Sequence, residues 1–239
     1  MDDIENNYHN PDYNSGPIFN QKDSNVRLTF IRKVYFILSA QLLITAAFIT
    51  FSVFNKNYAL FLIKNVWILI LCAITNITVC IALVCYKANA RTFPRNFILL
   101  GIFTITEALL VSSVTAFVEP ELVLLAAILT AAIVVALTIY AIKTNEDFTI
   151  CGGMLFMCLM LLIVGSIICA IYPTYAPKTC LSALTIFLFG IYLIYDTQLI
   201  MGDKSNALSI DDYIIGALML YIDIIRIFIE ILKILGRSR

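Results

Sequence analysis

The chain has 239 residues, of which 61% are apolar and 13% charged, too little polar surface to cover a water-soluble globule of this length. Lysine plus arginine and aspartate plus glutamate number 16 each, so net charge gives no sign of nucleic acid or of an anionic partner; the placement of charges between apolar runs informs instead. The composition is that of a polytopic membrane protein.

Met1 to about Asn25 is rich in Asn, Asp, Tyr and Ser and contains Pro11 and Pro17. It has neither a basic n-region nor an apolar h-region, so it reads as a mobile polar cytosolic tail, residues 1–26, and not as a signal peptide. Tyr8 and Tyr13, with acidic neighbours, form a candidate sorting or phosphorylation motif, although composition favours plain disorder. Residues 27–239 are expected to form one transmembrane domain.

A helix needs about 20 apolar residues to cross the bilayer. Seven runs qualify: Tyr35 to Phe54, Val66 to Cys85, Phe97 to Val118, Leu122 to Ile142, Cys151 to Ile171, Cys180 to Met201, and Tyr213 to Leu235. The expected fold class is therefore an all-α polytopic membrane helical bundle of seven spans, with a re-entrant seventh segment as the alternative. Spans three and four, joined by Glu119-Pro120-Glu121, are expected to form a tight helical hairpin. The seven cysteines lie in or beside apolar runs without metal-ligand spacing and read as packing residues, not disulfides. The single histidine, His9, is in the tail, which removes histidine-based metal or triad chemistry from the membrane region.

Lys22, Arg27, Arg32 and Lys33 precede span one, and Lys87, Arg91 and Arg95 follow span two, whereas the Glu119 to Glu121 turn has no base. This bias puts the amino terminus in the cytosol. Seven full crossings would then put Lys233, Arg237 and Arg239 on the opposite side, against the same rule, and this tension keeps the re-entrant alternative open.

Carboxylates deep in apolar spans are costly and mark functional sites by default. Span six carries Asp196 and span seven Asp223; at 1.5 Å per residue their depths differ by roughly 7 Å, which permits a pair without proving one. If they meet, two like charges share a proton and act as a pH-sensitive latch; without the proton they repel or admit calcium, which prefers oxygen ligands. Glu107 in span three is either a neutral acid hydrogen-bonded to a neighbour or a cation-coordinating or proton-relay group. Asp223, Arg226, Glu230 and Lys233 share one face of span seven, and Glu230 and Lys233 are expected to neutralise each other near the helix end. Ser209 and Asp212 read as a capping box at the start of that helix.

Several stretches resemble one family. Phe30-Ile31-Arg32-Lys33-Val34-Tyr35 with Gln41-Leu42-Leu43-Ile44-Thr45, Tyr195-Asp196-Thr197-Gln198-Leu199-Ile200-Met201-Gly202, and Asp212-Tyr213 with Tyr221-Ile222-Asp223-Ile224-Ile225 are similar to signatures of the transmembrane Bax inhibitor motif family, lifeguard branch. Phe103-Thr104 to Glu107-Ala108 and the Lys143 to Phe148 loop resemble that branch's Golgi anti-apoptotic group. The likeness runs from about Arg27 to Leu235. It implies a protein of the Golgi or endoplasmic reticulum that leaks calcium, lowers store calcium and restrains apoptosis, with Asp196 and Asp223 as gating dyad and transient calcium ligands. Calcium is then the permeant ion and no cofactor is expected. Implied partners are membrane lipid, calcium ions and anti-apoptotic or calcium-release membrane proteins; homo-oligomerisation stays open. The chain departs from the family at Ile210-Asp211-Asp212-Tyr213, usually Pro-Glu-Glu-Tyr, and at Arg226, a site often uncharged, where a positive charge one turn from Asp223 would hold it ionised. The alternatives are a non-conducting membrane scaffold and, remotely, an intramembrane aspartyl protease, whose Gly-x-Gly-Asp and Pro-Ala-Leu motifs are missing; no enzyme activity is expected.

Overall fold

The structure, a computed structural model, describes residues 17–171 and 175–237, and among these the chain is helical with no strand. Helix α1 spans Pro17–Phe54, α2 Lys56–Lys64, α3 Val66–Cys85, α4 Lys87–Arg91, α5 Arg95–Thr115, α6 Pro120–Lys143, α7 Gly152–Ile171, α8 Tyr175–Met201 and α9 Tyr213–Arg237. Single 3₁₀ turns at Phe148–Cys151 and Ile210–Asp212 lead into α7 and α9. Six segments are long and apolar enough to cross a membrane, those of α1, α3, α5, α6, α7 and α8. Helix α9, with 25 residues, has the length, but the charges of Asp223, Arg226, Glu230, Lys233 and Arg237 lower its hydropathy.

Two boundaries differ from the sequence expectation. Helix α1 starts at Pro17, inside the stretch expected to be a tail; proline suits a first helical turn, where its missing N–H has no acceptor to lose. The motif at Tyr8 and Tyr13 lies outside the described residues. Helices α5 and α6 do not form the expected tight hairpin, because each finds better partners: α5 packs along α1 and α3, and α6 along α8 and α9.

The hydrophobic core gathers around α9. Fourteen of its 25 residues are buried, more than in any other helix among the described residues. Helices α8, α1, α6 and α5 surround it, while α3 is held outside by α5 and α7 by α8. Helix α9 begins where Asp212 meets Arg91 and ends where Arg237 Nη1 donates to Ser182 Oγ at 3.2 Å near the start of α8, so it runs unbroken through the bundle. All seven cysteines are free thiols.

Tyr221 is fully buried on α9; its hydroxyl is 2.8 Å from Thr45 Oγ1 of α1, and its ring stands edge-on to Phe103 of α5 at 6.1 Å. Gly216 lets α9 approach two neighbours at once, because a Cβ there would lie 3.3 Å from Ile200, Leu208 and Val34. Small residues of this kind allow close backbone approach where lipid supplies no hydrophobic drive. Gly216→Leu is therefore expected to lower stability by about 1–3 kcal/mol through overpacking, and Gly216→Ala by much less, in thermal unfolding of the detergent-solubilised protein.

Candidate functional site

Asp196 and Asp223 are 4% and 3% exposed. The α8–α9 packing brings their carboxyl groups within hydrogen-bonding reach of each other. The depth mismatch expected from the sequence is reduced from roughly 7 Å to about 4 Å by stagger: Gly216, and not Tyr213, stands beside Ile200. From that level Asp223 is about 10 Å and Asp196 about 6 Å into the bundle, a gap side chains and helix tilt can close.

Asp196 Oδ1 and Asp223 Oδ2 are fully buried and receive no hydrogen bond from any described donor. Buried polar atoms are rarely left so, and two facing carboxyl groups can satisfy each other only by sharing a proton. Among the described residues no group of three His, Cys, Asp or Glu converges, so the pair offers a cation two carboxylates and not a closed cage.

The remaining residues singled out from sequence lie elsewhere. Glu107, 7% exposed, is buried on α5, where the charge acting on it is that of Arg226 and it in turn acts on Tyr221 and Cys80. Arg226 is exposed, and the charge acting on Asp223 is that of Asp196. The expected influence of Arg226 on Asp223 is thus redirected to Glu107, because the α8 contact orients Asp223 toward Asp196. Glu230 and Lys233 do pair, at 2.5 Å.

The capping box does not form. Ser209 occupies the N-cap position of the 3₁₀ turn without a side-chain bond, and Asp212 faces another chain segment instead. Its carboxylate receives Arg91 Nε at 2.7 Å and Nη2 at 2.8 Å, a bidentate pair that outcompetes a local cap because both acceptor oxygens are used.

Sequence reasoning missed the polar ties that hold the ends of α8 and α9. Gln198, buried two residues after Asp196, accepts the Phe148 N–H at 2.8 Å and donates to Glu146 O at 2.9 Å, docking the α6–α7 loop. Asp147 in that loop accepts from the Thr149 hydroxyl at 2.6 Å and the Ser205 N–H at 3.0 Å. The bonds from Ser205 and Thr149 hold the Asp147 carboxyl below the usual carboxylate range. A glutamine in an apolar span was the available signal; the loop ties depend on residues about 50 positions apart and leave no local pattern.

A helical membrane bundle whose central helix shares a buried carboxyl pair with its neighbour defines the class of this protein. Within that class the chain belongs to the Bax inhibitor family: residues 27–239 match the family described as inhibitor of apoptosis-promoting Bax1. It is 35% identical to human protein lifeguard 3 over 218 residues, 90% of this chain and 70% of that protein. Identity is 34% to mouse protein lifeguard 3, over 90% of this chain and 71% of that protein. It is 32% to mouse protein lifeguard 4 over 224 residues, 94% of this chain and 91% of that one.

Two measurements check the ties. Arg91→Gln and Asp212→Asn should each lower the thermal unfolding temperature, and a double-mutant cycle should show the losses to be non-additive. Because the folded-state pKa of Asp147 is depressed, its contribution is present above the ordinary value of 3.8 and is lost as pH falls below it. Hydrogen exchange at the Ser205 amide, corrected for its intrinsic pH dependence, should accordingly show constant protection from neutral pH down to that value and lose it below.

Proposed function

We propose that this protein is a pH-sensitive, calcium-permeable leak channel of an internal membrane, Golgi or endoplasmic reticulum, which lowers store calcium and thereby restrains apoptosis. The observation that carries the reading is the Asp196–Asp223 pair, buried between α8 and α9 with acceptor oxygens that no described donor reaches. With one proton the pair is a hydrogen bond that holds α8 to α9. Without it, two anions in low dielectric repel, and a hard cation becomes the favourable third party. Two carboxylates suit weak, transient coordination, which is what permeation requires. The names of the relatives and the family description, with its reference to apoptosis, agree with the cellular part of the reading.

The charge distribution supports a cytosolic amino terminus. Arg27, Arg32, Lys33, Arg91, Arg95, Lys143 and Lys204 cluster at the end where α1 enters and α8 leaves, and Glu119 and Glu121 mark the other. The cations at the far end of α9 carry less weight in that balance, since Lys233 is paired with Glu230 and Arg237 is bonded to Ser182.

The test is calcium release from dye-loaded proteoliposomes, followed from acid to neutral pH. Wild-type flux should rise with pH, by no more than about tenfold per unit for a one-proton gate. Asp196→Asn and Asp223→Asn should each flatten that dependence. Absence of flux, or flux unchanged in both variants, would overturn the channel and favour the scaffold; cleavage of a transmembrane peptide lost in either variant would favour the protease.

A further inference from the structure

Arg27 spends its whole guanidinium on main-chain carbonyls at the foot of the pair. Nη2 donates to Leu199 O at 2.7 Å, Nε to Met201 O at 3.1 Å and Nη1 to Leu208 O at 2.7 Å. The first two are carbonyls of the last turn of α8, which have no intrahelical donor; the third belongs to the strap, residues 202–212, that leads into α9. A cation at a helix carboxyl end also complements the helix dipole. The group lies over the Phe30 ring at 4.8 Å, and the strap makes room for it at Gly202. There φ is +71°, and a Cβ would stand 2.4 Å from the Arg27 Cζ.

One side chain thus joins three elements: α1, the end of α8 and the approach to α9. Asp196 lies one helical turn from Leu199, so any movement of the α8 terminus is passed to the pair. The strap is pinned to the same turn from its own side by Leu208 N, which donates to Leu199 O at 2.9 Å.

We propose that Arg27 is a positioning residue of the gate: by clamping Leu199, Met201 and Leu208 from α1, it sets the spacing of Asp196 and Asp223. This rests on the dyad reading above. The acid beside Arg27 is Asp203 on the strap, and those beside Asp196 are Asp223, Tyr192 and Tyr195. Arg27 touches neither member of the pair and acts only through backbone position.

The experiment uses the full chain in proteoliposomes and in nanodiscs, with Arg27→Gln, Arg27→Lys and Gly202→Ala. Arg27→Gln should raise calcium release at acid pH by at least about fivefold and flatten its pH profile, the size expected for coupling between distinct sites. Arg27→Lys, with one point of donation in place of a planar fork, should fall between it and wild type. Gly202→Ala leaves Arg27 in the chain but evicts its guanidinium, and should reproduce Arg27→Gln. In nanodiscs, hydrogen exchange in both Arg27→Gln and Gly202→Ala should quicken across the strap and in the α8 turn from Asp196 to Met201. Wild-type flux with an unaltered pH profile in both variants would overturn the positioning role while leaving the dyad intact. Faster exchange confined to the strap would overturn it as well. Wild-type protein without flux would overturn the channel reading and this inference with it.

Discussion

The bundle depends on keeping Asp223 away from lipid. A carboxyl group near mid-membrane survives only against another polar group, and α9 meets that demand by running through the centre with Asp223 turned to Asp196 of α8. Once α9 is central, the other helices sort by what they can offer it. Helix α1 supplies Thr45 for the Tyr221 hydroxyl, α5 the Phe103 ring, and α8 the second carboxyl. Helix α7, with only 6% of its apolar window buried, contributes little beyond its contact with α8 and stays at the rim.

At the basic end, three separate ties converge on the segment between α8 and α9. Arg27 arrives from α1, Arg91 from α4, and the α6–α7 loop through Gln198 and Asp147. Each uses charge-assisted or multiple hydrogen bonds, which are the strong ones. At the opposite end Arg237 of α9 donates to Ser182 Oγ of α8, Ser52 Oγ donates to Ser112 O, and Tyr58 OH lies near Ser112 Oγ. The two carboxyl groups therefore lie between two tied ends of the bundle.

The first six spans were legible because lipid imposes a length and a composition that sequence displays directly. The Asp196–Asp223 relation was legible as a permitted contact, since depth can be counted along a helix. Contact itself was not, because it turns on a stagger that Gly216 creates by admitting Ile200, Leu208 and Val34. Helix neighbours were misread where chain proximity stood in for packing, as with α5 and α6. Asp212 was misread because a local cap and a distant Arg91 compete for one carboxylate, and only tertiary structure reveals the winner. Arg226 shares a helical face with Asp223 on paper, yet the charge felt by Asp223 comes from Asp196 of α8.

The central position of α9 also bears on biogenesis. Helix α9 leaves the ribosome after the six helices that carry the strong hydropathy, so those six enter the membrane before their common core exists. Until α9 is in place, Asp196 of α8 and the Thr45 hydroxyl of α1 lack the partners it brings, Asp223 and Tyr221. Helix α9, too charged to partition well by itself, depends for its place on the polar partners that the other helices present, which makes its insertion a folding reaction and not a partitioning one.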